Sequence, residues 1–318
     1  MPPLSLYIIM FNFLRDTNLY IVETNNSLGM FKHNIPVYSD VSFSQTFNEN
    51  RTPTKTLHNL GSLYSISSIN KANPASFSFT TPVFKDEAIY PIILDLGTKL
   101  NTNSNLVSFD IYIESTEMVL RIENCVIETL TFNISRTEVL TISVSGSGKK
   151  ITNFTDPIPG TLKPVPTQYS VVRGIELIMD SVTLDSIAAL NVEYSNEVSW
   201  RDTDTIHEAL DMVVSYPASF SLSGINLFGS FTEFITDTNI SQFNDNGVSS
   251  SLLIKVYADI GATPILSFDI DNIAYTRRIN TGDIITRVYD YAINGGDTLV
   301  YPNYSGFSTV NPEIIIDF

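Results

Sequence analysis

Val41-Ser-Phe-Ser-Gln-Thr-Phe47 sets Val41, Phe43 and Phe47 on one face of an extended chain, and Ser42, Ser44 and Thr46 on the other. Successive side chains of a strand point to opposite faces, so this alternation predicts an antiparallel strand with one face in a core and one in water. Short runs of the same kind, rich in Val, Ile, Thr, Tyr and Phe and bounded by Gly, Asn, Asp and Pro, recur at 19–23, 36–47, 75–81, 107–114, 118–122, 126–135 and 138–144. A second series follows at 174–180, 188–195, 218–222, 252–259, 264–270, 273–280 and 283–292. Two stretches depart from the pattern. Residues 86–100, with Ile89, Ile92, Ile93 and Leu96 at helical spacing, predict a helix holding Pro91 in its first turn. Residues 231–243, with Phe231, Phe234, Ile235 and Phe243, predict a second.

Composition agrees with sheet. Of 318 residues 43% are hydrophobic and only 16% charged, too apolar for a disordered chain and too poor in charge for a helical one. The length suits about two domains of roughly 100–200 residues each. Net charge is −16, which excludes a basic stripe gripping phosphates and speaks against tight nucleic-acid binding. The acid is uneven: net −3 over residues 1–160 and −13 over 161–318. Two readings stand, a solvated surface and a functional anionic wall. The single cysteine, Cys125, lies in an apolar run and reads as a buried free thiol, so no disulfide forms within one chain. The opening residues lack a basic region and are too short to span a bilayer, so neither an export signal nor a membrane anchor is expected. Met10 reads as well as Met1 for a start, and the sequons at Asn133, Asn153 and Asn239 read as chance matches.

From residue 145 to 170 the chain turns to Gly-Ser-Gly-Lys-Lys, Asp156-Pro-Ile-Pro-Gly160 and Lys163-Pro-Val-Pro166. So much Pro and Gly makes this the domain boundary, with 156–170 as linker between domains at 1–155 and 171–318. Motifs recur across it. Ala75-Ser-Phe-Ser-Phe79 returns as Ala218-Ser-Phe-Ser-Leu222, 143 residues on, and Thr54-Lys-Thr-Leu-His58 as Thr203-Asp-Thr-Ile-His207, 149 on. Glu138-Val-Leu-Thr141 returns as Asp283-Ile-Ile-Thr286 at 145, and Val119-Leu120 as Ile265-Leu266 at 146. Four matches in one order predict a tandem duplication of one fold.

Motifs that carry chemistry are scarce. Phosphate-binding glycine loops, Cys/His zinc clusters and Gly-x-Ser-x-Gly turns are missing from the sequence. Gly146-Ser-Gly-Lys-Lys150 lacks phosphate-loop spacing and reads as a turn or linker. His58 and His207 occupy equivalent places but have no nucleophile or further ligands beside them in the sequence, so loop or interface roles are expected. The carboxylate pairs Asp86-Glu87, Asp202/Asp204 and Asp269/Asp271 lack the ligand density of a calcium loop. No enzyme activity, cofactor or metal is expected.

The segments Phe11-Asn-Phe-Leu-Arg-Asp-Thr-Asn-Leu-Tyr-Ile-Val22, Asp40-Val-Ser-Phe-Ser-Gln45, Arg51 to His58, Ala75 to Phe79, Glu123-Asn-Cys-Val-Ile127 and Ser145-Gly-Ser-Gly148 resemble those of phage tail tube proteins. The likeness continues through 218–231 and 251–291, and is greatest to tubes of long non-contractile tails in which two tube domains are fused. The resemblance implies an all-β fold with minor α: two tandem β-sandwich or barrel domains, each with one flanking helix. It implies a virion protein made in the host bacterial cytoplasm, whose trimers form pseudo-hexameric rings that stack into a tube conducting DNA during infection. Partners implied are further copies, the tape measure, baseplate and terminator proteins, a sheath in a contractile tail, and DNA in passage without specific binding. The long polar stretches 48–74 and 196–217 would dock ring on ring through Arg51, Lys55, His58, Trp200, Arg201 and His207. Acids on the meander strands would face the channel: Asp110, Glu114, Glu123 and Glu128, then Asp259, Asp269, Asp271 and Asp283. Ordinary outward strand positions are the other reading of these acids. A baseplate or distal-tail ring protein, and a carbohydrate-binding β-sandwich, are the alternatives.

Overall fold

The computed structural model describes residues 17–23, 30–38, 40–54, 63–83, 89–98, 100–101, 103–163, 170–202, 214–237, 239, 247–258 and 264–293. The first half runs β1 (Asn18–Glu23), β2 (Phe31–Ile35), β3 (Ser42–Ser44), β4 (Phe47–Thr54), β5 (Leu63–Ala72), β6 (Ala75–Pro82) and α1 (Ile89–Thr98). It continues through β7 (Phe109–Glu114), β8 (Val119–Ser135), β9 (Thr141–Gly148), β10 (Lys150–Phe154) and β11 (Thr161–Leu162). The second half holds β12 (Gly174–Met179), β13 (Val182–Leu184), β14 (Ile187–Arg201), β15 (Ser219–Phe234), β16 (Gly247–Tyr257), β17 (Leu266–Asn280) and β18 (Thr286–Ile293). The fold is nearly all β, in a sandwich-like arrangement. The main path of strands runs from β11 to β13 with two separate ends, so no barrel closes among the described residues.

Antiparallel pairing gives the first half the order β2-β1-β7-β8-β9-β6-β3. The second half has the order β13-β12-β16-β17-β18-β15-β14, again antiparallel throughout. The two orders correspond strand for strand. Register fixes the correspondence: Pro82 pairs with Thr141 where β6 meets β9, and Phe234 with Thr286 where β15 meets β18. By that register Ala75 matches Leu227, so the two Ala-Ser-Phe-Ser segments sit at different levels of the sheet. Ala218–Leu222 matches part of β5, not β6. The Thr-x-Thr motifs extend into 55–58 and 203–207, outside the described residues.

The expected helix at 86–100 is α1, with Pro91 in its first turn. Phe231 and Phe234 instead lie in β15. There Leu227, Phe231 and Glu233 are buried, so a buried charge sits where the two-residue period called for an apolar residue, and it masked the alternation. The runs at 118–122 and 126–135 are one strand, β8, bent at Asn124, whose φ is 50°. Those at 264–270 and 273–280 are likewise one strand, β17, with Asn272 at φ 53°. Asparagine tolerates this left-handed backbone better than most residues. Residues 146–150, read as a turn, lie in and between β9 and β10, and β10 pairs with β8. The polar stretch after Phe47 is largely a two-stranded arm, β4 against β5, and β14 with β15 makes a matching arm.

One core spans both halves. Phe132 of β8 packs edge-on against Phe268 of β17 at 5.3 Å, both fully buried. α1 lies over β8 through buried Ile93, Leu94 and Leu96, and the bare Cα of Gly97 lets Leu130 close in.

Candidate assembly interface

The two halves meet along a strand pair. β14 runs antiparallel to the distal part of β8, from Ala189 opposite Ser135 to Ser195 opposite Thr129. On the core side Leu130, Phe132 and Ile134 alternate with Leu190, Val192 and Tyr194, all at most 3% exposed. Each such side chain contributes up to about 1.5–3 kcal/mol by leaving water. On the other side the Asn191 amide donates to Asn133 Oδ1 at 2.8 Å. Buried Asn196 donates to the carbonyls of Gly97 and Ile127, at 2.8 and 2.9 Å, and so ties β14 to α1 and β8. The Tyr291 hydroxyl donates to the Asn191 carbonyl at 3.0 Å, and burial pushes its pKa up.

The bases of the arms also touch. Lys71 Nζ lies 2.6 Å from Asp202 Oδ2, and Ala72 N donates to Ser215 O. Trp200 packs against Phe220 at 5.5 Å and donates through Nε1 to Ser147 Oγ at 2.7 Å; Ser147 in turn donates to Glu128. Arg51 stands in β4 opposite Ser67, and exposed Arg201 ends β14. Lys55, His58 and His207 lie outside the described residues.

The acids suggested for a channel separate into different environments. Asp110 is 3% exposed and faces no open water: it accepts two bonds from Arg121, at 3.0 and 2.7 Å, and one from Asn124 N. Burial pushes the Tyr112 hydroxyl beside it up to about 12, with Asp110 adding to the shift. Glu123 lies 3.5 Å from both Arg121 and Lys150, and Glu114 accepts the Tyr20 hydroxyl. Asp269 and Asp283 are exposed. Asp271 lies in β17 opposite Ser251, and Asp259 is outside the described residues.

The outward face of the central sheet is paved with hydroxyls. Ser42 bonds Ser78 at 2.8 Å, Ser44 bonds Ser76 at 2.9 Å, and Thr80 bonds Ser143 at 3.1 Å. The alternation of serine at every second position was visible in sequence; its alignment across strands was not. Sequence reading also missed an apolar patch at the β17–β18 turn, where Ile279, Ile284 and Ile285 are 52, 61 and 50% exposed. Adjacent isoleucines beside a glycine turn were the available signal.

Among the described residues no helix is long and apolar enough to cross a membrane, and no three His, Cys, Asp or Glu gather as a metal site. Comparison with curated proteins finds no match. A family model described as the bacteriophage baseplate tube protein family matches residues 32–304, which take in both strand sets apart from β1 and the first residue of β2. This β-rich chain, with its two strand sets sharing one seam, belongs to the bacteriophage baseplate tube protein family.

Proposed function

We propose that the chain is a non-catalytic virion subunit whose copies join edge to edge into rings, the rings stacking into a baseplate-proximal tube through which DNA passes. The observation that carries this reading is the repeated strand order, with one set joined to the other by the β8·β14 seam. It supports a duplicated tube domain, so that three copies would supply six domains to a ring. Closing a sheet around a ring removes the open edges that invite uncontrolled pairing. The paired arms, with Arg51, Trp200 and Arg201, are the elements for ring-on-ring docking, a role also assigned to Lys55, His58 and His207 outside the described residues. The hydroxyl face suits a channel wall: it wets readily but offers few cations to phosphates, and a net charge of −16 further disfavours trapping of DNA. Other tail and baseplate proteins, among them the tape measure, the terminator and a sheath where one exists, would be the neighbours.

Negative-stain microscopy of the purified full chain tests the reading. Hollow rings or tubes of uniform diameter are expected; monomers that persist at every concentration would overturn it. Alanine or charge-reversal variants in the arms should leave rings intact and shorten the stacks.

A further inference from the structure

The seam inside the chain is a template for a seam between chains. β8 carries β9 on one edge; on the other it carries β7 as far as Cys125, then β14 from Thr129 to Ser135. β17 is its counterpart. It carries β18 on one edge and β16 on the other as far as Tyr275, beyond which no described strand pairs with that edge. Asn133 pairs with Thr141 and Asn280 with Thr286, so Asn280 stands where Asn133 stands, and Ile279 where Phe132 stands. Phe132 is wholly buried against β14, whereas Ile279 is 52% exposed.

The matching partner strand can be traced in the same way. Ser78 lies four residues before Pro82, and Ser230 lies four before Phe234. Ser78 pairs with Ser42, and Ser230 with Asn191. β3 therefore holds the position that β14 holds at the internal seam, and its second edge has no described strand. Ser42 and Ser44 are exposed, while Phe43 is partly buried against the core.

We propose that β3 of one copy adds antiparallel to the Arg278–Asn280 edge of β17 in the next copy, with Asn280 opposite Ser42, Ile279 opposite Phe43 and Arg278 opposite Ser44. This rests on the ring reading and gives it a joint. The occupant is a second copy because both edges belong to one chain and end the run β3-β6-β9-β8-β14-β15-β18-β17 that passes through the internal seam, the head-to-tail arrangement that closes rings. Ile279 against Phe43 reproduces the apolar contact of Phe132 with Val192, and Asn280 beside Ser42 reproduces the polar bridge of Asn133 with Asn191. Val139 and Leu140 are covered by residues 170–172, while Ile284 and Ile285 at the matching turn are bare, which extends the patch to be covered.

Directly opposed residues of an antiparallel pair lie about 4.5–5.5 Å apart at Cα, within reach of a disulfide. The full chain carrying Ser42→Cys and Asn280→Cys, treated with an oxidant, should give covalent oligomers larger than a dimer on non-reducing gels. Either single variant, each retaining buried Cys125, should give none. Ile279→Asp should leave a folded monomer that no longer assembles, while Ile279→Val assembles normally. Microscopy of the same samples separates the outcomes. Rings or tubes without the cross-link, or Ile279→Asp assembling like the wild type, would overturn this joint and leave the tube reading standing. A wild-type chain that never assembles would overturn both.

Discussion

Phe77 faces Gly146 across the β6·β9 pair, and its ring Cζ lies 2.6 Å from where a Cβ on residue 146 would stand. The ring rests on bare backbone, an arrangement in which an aromatic shields a strand glycine. At the matching point of the second half the roles are exchanged: Gly229 faces Tyr291, whose Cζ lies 2.7 Å from the corresponding position. Either strand can supply the ring as long as the other stays bare.

Gly146→Ala should therefore destabilise the protein by more than about 2 kcal/mol, since the new methyl meets Phe77 and also the rigid Val126 carbonyl. Gly229→Ala should do the same through the Asn191 carbonyl. Urea unfolding monitored by circular dichroism reads both, and a change within about 0.5 kcal/mol, as for an ordinary surface site, would contradict the packing described.

Arg287 and Glu233 lie 3.5 Å apart, each 1% exposed. Arg287→Met leaves a buried carboxylate without its counter-charge and should cost about 3–5 kcal/mol at neutral pH. The double variant Glu233→Leu/Arg287→Met should recover most of that loss. A double variant as unstable as the single one would show that packing, not charge, dominates the site.

Burial raises the Glu233 pKa above its ordinary 4.5, with Arg287 and Asn239 opposing the shift. A raised folded-state value means that its stabilising contribution is complete below 4.5 and is lost as pH climbs through the folded value. The stability of the wild type minus that of Glu233→Gln should accordingly fall as pH rises from 4.5. Thermal melts across that window check the sign; a difference that stays flat or grows would reverse it.

Cys125 is fully buried and its thiol pKa is raised well above the ordinary value, chiefly by burial. The native chain should leave a thiol reagent unreacted at neutral pH and react stoichiometrically once unfolded. Prompt reaction of the folded chain would place the thiol elsewhere.

Because the seam and core run through both halves, Phe132→Ala should cost about 3–5 kcal/mol and lower one shared transition. Calorimetry resolving two separate transitions, only one of them shifted, would show that the halves unfold independently.

The strand content was legible because it rests on a local signal, the period of two that holds from Val41 to Ser44; Phe47, expected on the same buried face, opens β4 and is 47% exposed. α1 was legible for the same reason, and Pro91 fell where a first turn tolerates it. Reading failed where a single residue broke the local rule, as Glu233 did in β15 and as Asn124 and Asn272 did within β8 and β17. It failed in a second way with the Ala-Ser-Phe-Ser segments. Alternating serine and phenylalanine satisfies many registers, so a match in letters did not fix a match in level. The β8·β14 seam was beyond reach, since nothing in Thr129 to Ser135 specifies a partner some sixty residues away.

The internal seam never waits for its partner: tethering keeps β14 at high effective concentration beside β8 from synthesis onward, so greasy side chains there are harmless. The edge of β17 beyond Tyr275, which no described strand covers, has no such tethered partner. It carries Arg277 and Arg278 where β8 carries Leu130 and Thr131. Charge on a bare strand edge discourages promiscuous aggregation. One chain thus holds both a greasy strand seam, β8 against β14, and a matching strand edge that is charged instead.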